Sequence, residues 1–206
     1  MKLTLKRVLA CVGGLLLAGS AVAQDAADSG ERAVATFAGG CFWCMEPPYD
    51  KLAGVISTTA GYAGGPERDP SYRDVAGGMT GHAEVVQVVY DPAQVSYETL
   101  LRVFWRNIDP FAVDRQFCDS GPQYRSAIFY HDESQRAAAQ ASMAEVAARF
   151  GAAIATRVEP VGDTFHVAED NHQDYYLKNP VRYRYYRFNC GRDRRLEQIW
   201  GEEAGG

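Results

Sequence analysis

The sequence predicts an α+β domain in which helices cover a mixed or antiparallel sheet. Three observations carry that expectation. Short β-branched runs alternate with helical periods. The first six elements run in the order β-α-β-β-α-β. No repeat, linker or break in composition interrupts residues 33–206, which read as a single catalytic domain. That order matches a ferredoxin-like split βαβ core. The last forty-odd residues, from Gly162, promise a less regular C-terminal segment wrapped around it.

Ahead of the domain, Lys2, Lys6 and Arg7 precede an apolar run from Val8 to about Ala18, and Ala21-Val22-Ala23 is a small-x-small site. Residues 1–23 therefore read as a secretory signal peptide. A membrane anchor needs about 20 apolar residues, and this run is shorter. Cys11 opens the run rather than following it, which argues against a lipoprotein signal. Residues 24–32, QDAADSGER, form a polar, flexible lead-in.

Each later element has its own signal. VATF, 34–37, is a short strand that passes through Gly39 and Gly40 into a helix over Phe42 to Leu52. GVISTTAGY gives a strand near 55–60, and AEVVQVVYD a strong one at 83–90. Ser96 caps a helix carrying Leu100, Leu101, Phe104 and Ile108 at helical spacing. YRSAIFYH is a strand at 124–131, and Asp132 with Gln135 opens an Ala-rich helix to about Phe150. IATRVEPV closes the pattern as a strand at 154–161. Two stretches, 61–82 and 109–123, lack an apolar period, and long loops of this kind are where function often sits.

Composition excludes some functions. The chain is 47% hydrophobic and 23% charged over 206 residues, so it can bury a core without disulfide staples. Its net charge of −5 becomes −8 once the three signal-peptide cations leave. An acidic chain without a long basic run is a poor ligand for nucleic acid or anionic membranes. The basic clusters at 182–187 and 192–195 are interleaved with aromatics and acids and read as a solvated, salt-bridged face.

Four cysteines remain after the signal: Cys41, Cys44, Cys118 and Cys190. In an exported chain two structural disulfides are the plain expectation, with three connectivities open. Cys41 and Cys44, in GGCFWCMEPP, could instead be a dithiol switch, half of a zinc site or two buried thiols. Zinc would want a second close pair, and Cys118 and Cys190 stand apart. If the helix begins just after Gly40, Cys41 sits at its N-terminus, where free amides and the dipole lower a thiol from about 8.5 toward roughly 3.5–7.5. Phe42 and Trp43 either wall an apolar slot beside the sulfur or pack into the core.

Glu84, in TGHAEVVQVVYD, is a lone carboxylate among glycine, alanine and apolar residues. Desolvated, it would stay protonated near neutral pH and could donate a proton; otherwise it is an ordinary strand-end acid. Tyr62 and Tyr124 either present phenolic donors or are structural. Asp119, His172 and Tyr175 are the remaining polar candidates.

Together GGCFWCMEPP, GYAGG, TGHAEVVQVVYDP, QFCDSGPQYRSAIFYHD, AEDNHQDYY and FNCGRD, in that order from 34 to about 200, resemble the peptide methionine sulfoxide reductase A family. The resemblance implies that Cys41 attacks the sulfoxide sulfur and that Glu84 protonates its oxygen. Tyr62 and Tyr124 would hold that oxygen within a polar network that includes Asp119. Phe42 and Trp43 would receive the substrate methyl group, with His172 and Tyr175 in a polar cluster beside them. A sulfenic acid on Cys41 would condense with a second thiol, and a thioredoxin-like reductant would restore the dithiol, without metal or organic cofactor. For that second thiol the resemblance favours Cys190 over Cys44, with Cys118 third; the further C-terminal cysteine that some members carry is missing. Oxidised proteins and free methionine sulfoxide are the implied substrates. A monomeric, periplasmic enzyme that is not inserted in the membrane after signal cleavage is expected. Two rivals are a general disulfide oxidoreductase built on Cys41–Cys44 and a non-enzymatic, disulfide-stapled binding domain.

Overall fold

Small and apolar residues let the strand Ala33–Gly39 (β1) be enclosed on both faces, and it is buried from residue 35 to residue 39. The computed structural model describes residue 30 and residues 32–205. The signal peptide expected over 1–23, and most of the lead-in, lie outside the described residues.

After β1 come helix Phe42–Asp50 (α1) and strand Val55–Ala63 (β2). Helix Tyr72–Ala76 (α2), strand Ala83–Tyr90 (β3) and helix Tyr97–Arg106 (α3) follow. Two-residue strands Arg115–Gln116 (β4) and Asp119–Ser120 (β5) pair with each other ahead of strand Ser126–Tyr130 (β6). Helix Glu133–Phe150 (α4), strand Arg157–Pro160 (β7) and the short strand His166–Val167 (β8) lead into three helices: Tyr175–Lys178 (α5), Pro180–Cys190 (α6) and Arg192–Trp200 (α7).

The main sheet runs β7-β6-β1-β3-β2-β8, antiparallel except for the β6–β7 pair. Strand β3 lies between β1 and β2, which is the expected split βαβ arrangement, and β6-β1-β3-β2 form its four antiparallel strands. Phe37 stands opposite Val86 on β3 and Ile128 on β6. Its ring stacks on Tyr49 of α1 at 5.3 Å and on Phe104 of α3 at 5.4 Å, which joins both helices to the sheet. Truncating such a fully buried phenylalanine to alanine costs about 3–5 kcal/mol. The opposite face buries Ala38, Ala63, Ala83, Val85, Ala127 and Phe129 beneath Val161 and Phe165.

The termini of α3 and α4 follow the sequence signals. The side chains of Ser96 and Asp132 accept from the amides of Thr99 and Gln135. The C-terminal segment departs from expectation. It is largely helical from residue 175 to residue 200 rather than less regular. In α6 the run VRYRYYRF sets arginines between its aromatic residues, and Val181 and Phe188 face solvent, so no inward apolar stripe marks it, although Pro180 at its first turn and Gly191 at its left-handed C-terminus do. Other departures are smaller. The stretch 61–82 contains the end of β2 and the Ser71-capped α2, and Tyr124 lies in a 3₁₀ turn ahead of β6 rather than on the strand.

Candidate active site

Gly40, at φ +83°, turns the chain from β1 into α1 and brings Cys41 to the N-cap of the helix, buried beyond the C-terminal end of the central strand β1. A Cβ at Gly40 would lie 2.5 Å from Cβ of Gln116. Arg192 pins the same turn from the far end of the chain. Buried on α7, it donates to the carbonyl oxygens of Gly39 at 3.1 Å and Asn107 at 2.7 Å, and its guanidinium lies over the ring of Phe117.

The helix-start environment of Cys41 is not the one its position suggests. The first amide of α1, Phe42 N–H, donates to Oε2 of Glu84 at 3.1 Å. Burial therefore pushes the Cys41 thiol well up, reinforced by its hydrogen bond with Cys44 and by the Glu84 carboxylate. The expected lowering of Cys41 is overturned, because burial outweighs the helix-start position and the first amide of α1 is already bonded to Glu84. The same thiol–thiol hydrogen bond draws Cys44 down to about 7 against its burial, with Arg192 and Arg187 adding to it. Cys44 is thus the more acidic thiol of the two.

Glu84 behaves as its sequence context suggested. Burial raises it to about 8, against the Phe42 amide and with Asp119 adding, so it holds a proton at neutral pH. Tyr62 faces Glu84 across the β2–β3 ladder and donates to Glu169 at 2.7 Å. Tyr124 and Tyr72 lie within the field of Glu84, Cys41 and Asp119 and, held up chiefly by burial, remain neutral phenols. Asp119 accepts a hydrogen bond from the Tyr186 hydroxyl, and burial raises its carboxyl.

The aromatic wall is deeper than Phe42 and Trp43 alone. Trp43 stacks face to face on Tyr175 at 3.7 Å and meets Tyr186 edge-on at 5.9 Å. Its indole N–H donates to Nδ1 of His172 at 3.2 Å. That imidazole, kept neutral by burial, lies tilted against Tyr72 at 4.1 Å and against Phe42 at 5.3 Å. His172 and Tyr175 thus position Trp43. Glu46, raised to about 7 by burial, accepts from the backbone amide of Asp174 and holds the segment that delivers Tyr175.

Cysteine placement divides the four thiols. Cys41 and Cys44 are free and buried, whereas Cys118 and Cys190 are joined in a disulfide. Cys190, the favoured second thiol, is therefore engaged in this state, and Cys44, the alternative, sits beside the nucleophile. Among the described residues, Cys118, Asp119 and Cys190 bring three potential metal-ligand atoms within 4.8 Å of one another, but the two sulfurs are bonded to each other.

The twelve residues singled out from the sequence lie in this arrangement or in the adjoining disulfide. Tyr72, Tyr186, Glu169, Glu46 and Arg192 were not singled out. Each lies in a loop or helix without an apolar period, and only its contacts reveal it.

Comparison with known proteins agrees with this geometry. A family model described as peptide methionine sulfoxide reductase matches residues 33–204. Peptide methionine sulfoxide reductase MsrA of Halalkalibacterium halodurans is 47% identical over 174 residues, covering 84% of this chain and 97% of the relative. The crystal structure of Mxr1 from Saccharomyces cerevisiae in reduced form superposes with TM-score 0.70 at 36% identity, covering 73% of this chain and 87% of that one. Mxr1 in complex with Trx2 matches with TM-score 0.50 at 26% identity, over 70% of this chain and 85% of that one. With a family model spanning nearly all of the described residues, this chain belongs to the peptide methionine sulfoxide reductase family.

Proposed function

We propose that this enzyme reduces the S epimer of methionine sulfoxide, in proteins and as the free amino acid, through a sulfenic acid on Cys41. The observation that carries the reading is the protonated, buried Glu84 carboxyl tied to the amide next to Cys41. An acid held neutral at physiological pH beside a nucleophile suits a substrate whose oxygen must be protonated before the sulfur can be attacked.

The substrate methyl group lies against Phe42 and Trp43, and the sulfoxide oxygen is held by the phenols of Tyr72 and Tyr124, joined by Tyr62 when its hydroxyl turns from Glu169. Glu84 gives that oxygen its proton. Cys41 Sγ attacks the sulfoxide sulfur and gives up its proton to the neighbouring, more acidic Cys44 in its thiolate form. The thioether departs, and oxygen remains on Cys41 as sulfenic acid. With Cys190 bonded to Cys118, Cys44 is the free thiol beside it. Cys44 condenses with the sulfenic acid, water leaves, and a Cys41–Cys44 disulfide forms. An external dithiol of the thioredoxin type returns two electrons and two protons. The enzyme works as a monomer in the periplasm, and export is supported by the basic-apolar-small pattern of its first 23 residues. Among the described residues no helix is long and apolar enough to cross a membrane.

The test supplies S and R epimers of a methionine sulfoxide peptide with dithiothreitol. Turnover of the S epimer is expected. Turnover of neither epimer, or of the R epimer alone, overturns the reading.

A further inference from the structure

His82 stands in TGHAE two residues before Glu84, and the chemistry at Cys41 makes no use of it. Its imidazole is wholly buried. Nδ1 accepts the amide N–H of Gly65 at 3.2 Å, and Nε2 lies 2.8 Å from the carbonyl oxygen of Glu67. A ring nitrogen that accepts an amide carries no proton, so the proton sits on Nε2 and is donated to that carbonyl. The ring is therefore neutral, and burial keeps it so. Three charged or titratable groups face it: the Glu67 carboxylate at 3.7 Å, His166 edge-on at 5.3 Å, and Arg125.

These bonds join the segments that carry the oxygen-handling groups. Tyr62 and Ala63 face Glu84 and Ala83 on the last rungs of the β2–β3 ladder. Just beyond them, Glu67 Oε2 accepts the amide of Gly81, so three hydrogen bonds tie residues 65–67 to residues 81–82. Buried Arg125, next to Tyr124, donates to the carbonyls of Gly81 at 3.1 Å and Pro122 at 2.9 Å. Tyr62, Glu84 and Tyr124 thus hang from one cluster around His82.

Glycines make that closeness possible. A Cβ on Gly65 would lie 2.5 Å from the His82 amide nitrogen and 2.6 Å from its ring, and one on Gly81 would lie 3.2 Å from Gly65 Cα. The fit matters because Glu84 is 1% exposed and is held protonated chiefly by that burial. Water reaching the carboxyl through a loosened end of the ladder would favour its ionised form.

We propose that His82 is a positioning residue for the proton transfer: its neutral imidazole staples the loop after Tyr62 to the start of β3 and so keeps the Glu84 carboxyl dry and aligned. The proposal rests on the sulfoxide reductase reading. His82 touches neither substrate nor reacting sulfur and acts only through Glu84 and Tyr62.

Three substitutions test the staple. The other titratable groups around Glu84, namely Cys41, Cys44, Asp119, Tyr62, Tyr72 and Tyr124, are unaltered in all of them. His82→Ala should lower kcat for the S epimer roughly 10- to 100-fold, the cost of a catalytic group misplaced by about 1 Å. KM should stay within about twofold, because the methyl wall of Phe42 and Trp43 is not part of the staple. The alkaline limb of kcat/KM, set by Glu84 near 8, should move down by about one unit or more. His82→Asn keeps an acceptor for the Gly65 amide, and should recover most of the rate and return the limb toward its original position. A limb unmoved in His82→Ala overturns the proposal, even where the melting temperature falls, because His82 is then only part of the core. If His82→Ala does not fold, His82→Gln replaces it. Glutamine keeps a donor for Glu67 but no acceptor for Gly65, so its limb should lie below that of His82→Asn; equal limbs overturn the proposal. Carboxyl NMR of glutamate-labelled protein follows Glu84 without turnover, with Glu84→Gln identifying the signal. Glu84 should titrate lower in His82→Ala than in the unaltered protein, and an unchanged titration overturns the staple. If the unaltered protein turns over neither epimer with dithiothreitol, the catalytic reading alone fails, and the NMR titration still decides the staple.

Discussion

The amide of Phe42 donates to Oε2 of Glu84 at 3.1 Å, so the residue after the nucleophile is tied to the acid across 42 positions of sequence. Substituting Glu84→Gln keeps an oxygen acceptor for that amide and removes the proton that the sulfoxide needs. Turnover of the S epimer should fall about 100- to 10,000-fold, the usual contribution of a general acid, while the thermal midpoint stays within a few degrees. Steady-state kinetics and a thermal melt on the same preparation check both halves.

Glu84 is raised to about 8, and Glu46 to about 7, from an ordinary 4.5. The folded state therefore keeps protons that the unfolded chain has already lost, and stability should fall as pH rises from about 4.5 through about 8. Glu84→Gln and Glu46→Gln should each flatten that slope in urea denaturation between pH 5 and pH 8. In the same range kcat/KM should decline as pH passes about 8, because the acid is then ionised. A flat profile removes Glu84 from the proton-transfer step.

Cysteine substitutions separate the roles of the two pairs. Cys41→Ser should abolish reduction. Cys44→Ser should release about one methionine per enzyme, more slowly than the unaltered protein, and then stall with a thioredoxin donor. Mass mapping after one turnover should find Cys41 bonded to Cys44. A Cys41–Cys190 bond would assign the resolving step to Cys190.

Trp43 owes its pose to Tyr175, stacked on it at 3.7 Å, and to His172, which accepts its indole N–H. An aromatic pair of this kind is worth about 0.5–1.5 kcal/mol beyond burial. Tyr175→Leu should raise KM for the sulfoxide roughly two- to tenfold with a smaller effect on kcat, and a double-mutant cycle with Trp43→Leu should show the two changes to be non-additive.

Gly40 combines a φ of +83° with a Cβ position 2.5 Å from Gln116 Cβ. Gly40→Ala should destabilise the fold by at least about 1–3 kcal/mol, the cost of a strained left-handed residue, before the overlap is counted. Equilibrium unfolding measures it directly.

The strands and the two long helices were legible because each carries a period of its own: β-branched alternation in 83–90, Leu100-Leu101-Phe104-Ile108 in α3, and an Asp132 cap on α4. Cys41 and Glu84 were legible because unusual residues stood in revealing company. What the sequence hid was reciprocal. Helix α6 has no inward-facing apolar period, so neither its helicity nor the inward turn of Tyr186 could be read from it. The raised Cys41 thiol depends on burial and on the neighbouring Glu84, both of which exist only after β1 and β3 pair.

Arg192 reaches back 153 positions to hold the Gly39 carbonyl. A contact that spans nearly the whole domain makes completion of the nucleophile's turn a late event in the life of the chain, since the loop must close before the contact can form. While the polypeptide is still emerging from the ribosome, the glycine turn has no guanidinium to lock it. Assembly of the turn waits for the C-terminal helices. Timing of synthesis, and not only geometry, thus keeps a reactive thiol out of service until the protein around it is whole.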